Sequence, residues 1–394
     1  MAKLIEITGK ALSGEWGSDD DTGNGIPVLR TTNFTNEGVV DYRNVVTRTI
    51  TKKNISEKYL RHGDIIIEKS GGSDKQPVGR VIYFDGEANT YLFNNFTGLL
   101  RVKDTSKWHP RYVFYALYAN YRSGGTRQYE NKTTGLHNLK TDDYVSRFEI
   151  HERPHSHQRE ICGMLDTVQS IITARKQQIV ELDNLVKARF VELFGDPETN
   201  PYGWKTTTVG DVCSSIVRGP FGSALKKEFF VEPNETTYKV YEQKHAIQKS
   251  ATIGTYYVTA EKFAELRRFE CVAGDILMSC SGTMGELYQL PEGCEKGLIN
   301  QALCKFTLNK KILPIVFLTY MKQTIGNLET KGSGIQNIAA VSYVKAMPIN
   351  LAPMEVQEQF ATFVEQTDKS KLVVQQSLDK LETLKKALMQ KYFG

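Results

Sequence analysis

Several patterns that would have simplified the reading are missing from this chain. Its six cysteines, Cys162, Cys213, Cys271, Cys280, Cys294 and Cys304, form no CxxC pair, and His151, His155 and His157 lie beside only one of them. Neither a zinc site nor a disulfide framework is expected, and reduced, packed thiols are. No apolar run approaches the roughly 20 residues that span a bilayer. The first eight residues, Met1 to Thr8, lack the longer apolar core of a secretion signal, so a cytoplasmic protein is expected. Neither sign of charge predominates. Fifty Lys and Arg against 45 Asp and Glu leave a formal +5, which is compatible with local basic surfaces and too weak to establish an acidic partner.

Catalytic signatures are equally sparse. A phosphate-cradling GxxxxGK[ST] does not occur, and Ser281-Gly282-Thr283-Met284-Gly285 lacks the GxSxG order of an esterase elbow. Asp64 to Lys69 (Asp-Ile-Ile-Ile-Glu-Lys) has the look of a metal-dependent nuclease strand, but its Glu and Lys are adjacent where that motif wants one residue between them. A strand entered through a Gly-Asp turn explains it better. Asn200-Pro201-Tyr202 resembles an adenine-binding loop only superficially and reads as a linker turn.

What is present is a repeat, and 394 residues leave room for two domains. Residues 133 to 195 lie over 332 to 394 without a gap, with 14 of the 63 pairs identical, a density that marks one duplicated unit. Gly135 and Asn138 meet Gly334 and Asn337, Pro154 meets Pro353, Gln158 meets Gln357, and Phe194-Gly195 meets Phe393-Gly394. Upstream the match continues in islands: Gly63-Asp64-Ile65-Ile66 with Ser70-Gly71 parallels Gly274-Asp275-Ile276-Leu277 with Ser281-Gly282. Two globular halves on one framework, differing in loop length, are what different ligands on a common scaffold require.

Each repeat ends in a long helix. Pro154 and Pro353 suit a first helical turn. A heptad seam then runs through Ile161, Leu165, Val168, Ile172, Arg175, Ile179, Leu182, Val186, Arg189 and Leu193. Its counterpart is Phe360, Val364, Thr367, Lys371, Val374, Leu378, Leu381, Lys385, Leu388 and Tyr392. Steps of four and three signal a coiled coil about 50 Å long. The polar seam positions are read as devices fixing register, or as stems snorkelling at the seam edge. The expected organisation is α+β: a globular domain over 1–150, a helix over 151–195, a second domain over 196–352 and a second helix over 353–394, the helices pairing antiparallel.

Polar, basic and Gly-rich loops remain as candidate DNA contacts. In the first half they carry Arg30, Thr32, Asn33, Lys69, Ser70, Gly71, Lys75, Gln76, Arg122, Arg127 and Gln128. In the second they carry Arg218, Ser223, Lys226, Lys227, Gln243, Lys244, Ser281, Gln301, Lys331 and Ser333. Arg and Lys suit guanine edges and phosphates, Asn and Gln suit adenine, and glycine lets backbone N–H groups approach phosphate oxygens. Taken singly, each of these loops reads as a solvated turn before it reads as a base contact; recurrence of Ser-Gly and Gly-x-x-Asn at matching points of both halves favours the contact.

Two variable α+β domains alternating with two similar helices, together with Arg218-Gly-Pro-Phe-Gly-Ser223, Gly274-Asp-Ile-Leu277, Asn300-Gln301-Ala302-Leu303 and Phe194-Gly-Asp-Pro197, resemble the specificity subunit of type I restriction-modification systems. The resemblance implies double-stranded DNA as ligand, each globular domain reading one half of a split target. It implies helices that set the unread gap and dock methyltransferase subunits, expected in two copies, and motor-endonuclease subunits joined through the complex. It also implies no catalytic residue, metal or cofactor in this chain. The competing expectations are a repeat scaffold without sequence preference and a stand-alone DNA-modifying enzyme.

Overall fold

The computed structural model describes residues 1–21, 23–131, 136–330 and 340–394, with backbone alone for 326–330. Four longer helices are α1 (Pro110–Arg122), α2 (His155–Phe194), α3 (Pro314–Thr330) and α4 (Met354–Phe393). The chain divides into two compact units, residues 1–176 with 375–394, and residues 177–374. Each unit therefore combines one globular region with a part of α2 and a part of α4. Among the described residues no helix is long and apolar enough to cross a membrane.

In the first unit, β1 (Ala2–Lys3) pairs with Glu149–Ile150. The main antiparallel sheet comprises β2 (Leu12–Ser13), β4 (Ile65–Glu68), β5 (Val81–Tyr83) and β7 (Thr97–Leu100), in spatial order β2-β7-β4-β5. A second layer runs β3 (Ile26–Leu29) parallel to β6 (Leu92–Phe93). The isoleucine run of β4 is continuous because both faces of the strand are covered. Alternation sends Ile65 and Ile67 into a core with Tyr112, Val113 and Leu117 of α1, and Ile66 into another with Leu29, Phe93 and Leu99.

The second unit repeats this plan. β8 (Lys205–Thr208) pairs with β15 (Pro348–Leu351). The antiparallel sheet of β9 (Cys213–Arg218), β11 (Ile276–Ser279), β12 (Leu287–Gln289) and β14 (Leu303–Leu308) has the order β9-β14-β11-β12, and β10 (Tyr238–Tyr241) runs parallel to β13 (Gly297–Ile299). Ile276 and Met278 face a core with Phe306 and Phe317, and Leu277 faces Tyr241, Ile299 and Leu303. The Gly-Asp turn is structural in both units. Gly63 and Gly274 take φ of +94° and +88°, open to glycine. Asp64, 2% exposed, is held by Arg101 at 2.7 and 2.6 Å, while Asp275, equally buried, accepts from Thr307 at 2.5 Å and lies 3.3 Å from Lys305. Glu68, the other acid of the nuclease-like strand, is buried against Arg80 at 3.2 Å; burial raises its pKa and the guanidinium opposes the rise.

Pro154 and Pro353 stand immediately before the helices rather than in their first turns. Their carbonyls accept the first helical bonds from Gln158 and Gln357. Both glutamines are 1% exposed and do the same work. Gln158 accepts from His109 N–H at 2.8 Å and donates to the carbonyls of Lys107 and Arg153. Gln357 accepts from Leu313 N–H at 2.9 Å and donates to those of Lys311 and Ala352. Each long helix is thereby fastened to the segment that leads into the shorter helix of its unit.

The seam runs where the heptads place it. Ile161, Leu165, Val168 and Ile172 are buried, as are Phe360, Val364, Val374 and Leu378; Ile179, Leu182, Val186, Leu381 and Leu388 are half-buried. The pairing is antiparallel in each unit. In the first, Lys385 Nζ donates to Gln169 Oε1 at 2.6 Å and Lys176 meets Glu382 at 3.1 Å; in the second, Lys371 Nζ donates to Asp183 Oδ1 at 2.7 Å. Both seam lysines thus bond across to the other helix, favouring the register reading, and burial lowers the pKa of Lys385. Phe190 and Phe194, outside the heptad assignment, are buried against Phe360 at 5.4 and 5.5 Å. Helix α2 ends at Gly195, where φ is +76° and a Cβ would meet Pro201 Cγ at 2.5 Å. Asn200 spends its amide on the backbone of Trp204, which makes Asn200-Pro201-Tyr202 a turn.

Candidate nucleic-acid interface

In each unit the candidate loops leave neighbouring strands of the two layers and are tied to one another by backbone and side-chain bonds. In the first unit, Asn94 N–H, after β6, donates to Leu29 O at the end of β3, and Lys69 N–H, after β4, donates to Phe96 O. Arg80 closes the set from beneath, donating to Phe34 O and Thr31 O at 2.9 Å and pairing with Glu68. The loop between β4 and β5 continues to the segment after α1: Arg127 donates to Asp74 O at 3.1 Å, Gln76 to the Tyr121 hydroxyl at 3.2 Å, and Val78 N–H to Glu130 at 3.0 Å. Thr32, Lys75, Arg122, Arg127 and Gln128 are exposed along this rim, and Lys69, Ser70 and Gln76 stand beside them.

A cleft of about 530 Å³ opens among Lys69, Ser70, Asn95, Phe96, Asn138 and Asp142. Lys69 is half-buried, donates to Ser13 Oγ at 3.0 Å, and has its pKa lowered by burial and by the nearby charge of Lys58. The Asp142 carboxylate, which lines the same cleft, opposes that lowering. Gly71 takes φ +135° and would set a Cβ 2.9 Å from Glu68 Oε1, so its contribution is a tight turn.

In the second unit the equivalent bonds recur. Asn300 N–H donates to Tyr241 O at 3.0 Å, Cys280 N–H to Ala302 O at 2.7 Å, and Gly219 N–H to Leu303 O at 2.9 Å. Arg218 Nε donates to Gln301 O at 3.3 Å, and the Gly282 turn approaches Gln243. Arg218, Ser223, Gln243, Ser281 and Gln301 are thus brought together. Lys226 and Lys227 are exposed on the following turn, Lys226 lying 3.6 Å from Glu228. Lys244 is half-buried between Glu242 at 2.6 Å and the Tyr256 ring. Lys331 and Ser333 lie outside the described residues.

One expectation needs correction. Asn33 is 2% exposed, its Oδ1 accepting from Arg30 N–H at 2.9 Å and its amide donating to Asp41 O at 2.9 Å, so it cannot reach a base without dismantling its turn. His245 does the same work in the second unit, taking the Glu242 N–H at 2.8 Å. Arg30 is partly buried and reaches Asn44 O only at 3.4 Å. Sequence reasoning passed over two exposed phenylalanines, Phe96 (55%) and Phe221 (88%). Phe221 stands within Arg218-Gly-Pro-Phe-Gly-Ser223, where residue type alone singles out the arginine and serine and gives no sign that the ring is exposed.

Two copies of one layered α+β framework, each gathering basic and polar loops on one rim, define a duplicated binding protein. A profile of the family described as "Type I restriction modification DNA specificity domain" matches residues 2–184 and again 201–383, and the chain belongs to that family. It is 26% identical over 140 residues to the type I restriction enzyme MjaVIII specificity subunit of Methanocaldococcus jannaschii, a match spanning 34% of this chain and about a third (32%) of that protein. Two solved structures share the fold over the full chain. One, from work on complex assembly and conformational transition of the type I R-M system, has TM-score 0.60, 14% identity and 96% of its own chain covered. The other, the type I restriction-modification S subunit from M. genitalium, has TM-score 0.55, 15% identity and 95% of its chain covered.

Proposed function

We propose that this chain is the DNA-specificity subunit of a type I restriction-modification complex. The observation that carries the reading is the duplicated rim: the same strand order and the same backbone ties present two loop sets of different sequence. Two different rims call for two different half-sites, and therefore for an asymmetric bipartite target in double-stranded DNA. Lysines and arginines neutralise phosphates, giving affinity that falls steeply with salt, while a few polar side chains select bases. In this reading residues 1–150 and 196–352 are the two target recognition domains. Residues 151–195 and 353–394 are the spacer helices, which set the unread gap and dock two methyltransferase subunits.

Reaction chemistry then belongs to those partners, which methylate adenine, and to motor-endonuclease subunits joined through the complex. This chain acts in the cytoplasm and supplies the address without a catalytic residue, metal or cofactor. Among the described residues no three His, Cys, Asp or Glu side chains gather to hold a metal ion, and Asp64, Glu68 and Asp275 are spent on internal partners. The test is a methylome. The chain is expressed with its methyltransferase partner in an unmethylated host, and modified adenines are mapped by long-read sequencing against a control lacking the chain. A split motif that depends on the chain is expected; a soluble complex that writes no motif overturns the reading.

A further inference from the structure

Phe221 and Phe96 break the rule that large aromatic side chains are withdrawn from water, and both do so on the candidate rims. Neither is exposed through slackness of its turn. At Phe221, Gly219 is packed so closely that a Cβ would lie 1.9 Å from Asn300 O, and Pro220 is buried. Gly219 N–H is bonded to Leu303 O, and Ala224 N–H returns to Phe221 O at 2.9 Å. The backbone on both sides of Phe221 is therefore fixed while its ring projects, and the next residue, Gly222, packs against the Gln301 side chain.

Phe96 is reached by another route to the same result. It sits in the turn from β6 to β7, held by Thr97, whose N–H and hydroxyl both bond Asn94 O, and by Lys69 N–H on its own carbonyl. It lines the cleft that also holds Lys69, Ser70 and Asn95. The position matching Phe96 in the second unit is Ala302, and the position matching Phe221 in the first is Trp16, half-buried with the Arg48 guanidinium 4.2 Å over its ring. The exposed phenylalanine thus comes from a different strand connection in each unit, the aromatic of the matching connection in the first unit being covered by Arg48.

We infer that Phe221 and Phe96 are base-contacting residues, each placing an aromatic ring against the apolar surface of a nucleobase in the half-site of its own unit. The inference rests on the DNA-specificity reading above. Phosphate cannot use such a group, whereas a thymine methyl or a partly unstacked base can. Rigid presentation means that little side-chain and loop freedom is lost on binding.

The experiment uses the complex of this chain with its methyltransferase partner, comparing wild type with Phe221→Ala, Phe221→Leu and Phe96→Ala. Methylation rates are measured on duplexes carrying the wild-type target and every single-base variant of each half-site. Phe221→Ala is expected to lower the rate on the target roughly tenfold and to flatten discrimination at one or two positions of one half-site only. Phe96→Ala should do so in the other half-site, and Phe221→Leu should retain much of the discrimination. Replacing thymine by deoxyuridine at the affected position tells the two apolar surfaces apart: a methyl contact makes the two losses overlap, and an unstacked base leaves them additive. Unchanged discrimination in both alanine variants overturns the inference. So does an equal loss on all sequences with a shallower salt dependence, the mark of a phosphate contact, or a fall in melting temperature, the mark of a structural role. A wild-type complex that methylates without any motif overturns the specificity reading itself, a separate and recognisable result.

Discussion

The two units spend their buried polar groups in the same way and their exposed ones differently. Asp64 and Asp275 both enter a strand through a glycine turn and both find a cation or hydroxyl on or just past a neighbouring strand. Gln158 and Gln357 both fasten a long helix with three hydrogen bonds. On the rims the likeness stops, and Asn33 and His245 show where the boundary falls. They perform one structural task with different side chains, because a turn needs an acceptor at that place and either group supplies one. The lesson is that the frame is defined by where hydrogen bonds must be satisfied, while the rim is free wherever water can satisfy them instead.

The comparison breaks most sharply at the buried acids. Asp64→Ala leaves the Arg101 guanidinium half-enclosed without its carboxylate and is expected to cost about 3–5 kcal/mol. Asp275→Ala, whose partners are a lysine and a hydroxyl, is expected to cost less. Denaturant unfolding of the two variants checks both the size and the order, and equal costs would mean the bidentate arginine confers no advantage. Next come Gln158→Ala and Gln357→Ala. Each strands one N–H and two carbonyls at a helix start, for about 2–4 kcal/mol, and the two values should agree closely because the bonding is the same. A difference above about 1 kcal/mol would show that the duplication is one of geometry and not of energy.

Effects on binding should be smaller in free energy. Lys226→Ala with Lys227→Ala is expected to reduce the slope of log affinity against log salt by about 2 without changing which sequence is preferred, measured by competition binding at several ionic strengths. Asn33→Ala makes the contrasting case, since it should lower stability by about 1–2 kcal/mol and leave base preference unchanged. The smallest change expected is at Lys385. Its ammonium is held partly out of water, so Lys385→Met should alter stability by less than about 1 kcal/mol while loosening the choice of helix register, readable as broadened amide exchange along α4.

Much of the frame was legible in the chain because it obeys periodicity. Steps of four and three place Ile161 through Leu193 on one face of a helix whatever surrounds them, and a gapless offset carries that face to its copy. Gly-Asp before an apolar run forecast the strand entry. Phe190 and Phe194 escaped because they pack against the globular core as well as the partner helix, a demand that a heptad does not encode. The rim was only partly legible. Residue type told which side chains could meet DNA, but not that Asn33 is folded inward or that Phe221 is pushed outward. Those facts depend on contacts beyond the residue's own turn, Asn33 to Asp41 in one case and Gly219 to Asn300 in the other.

One pair of backbone bonds has a practical meaning. Glu68 N–H to Arg80 O at 2.8 Å and Ser279 N–H to Glu286 O at 2.9 Å close the bases of two loops of unequal length, residues 69–79 and 280–285, at the same width. Such a base is a socket that accepts inserts of different size. Loop closure grows slowly with length, about 0.6 kcal/mol for each doubling, so a difference in insert length by itself costs the fold little. New specificities could then be assembled by grafting loops into a standing frame, with the hydrogen-bonded rung serving as the splice point.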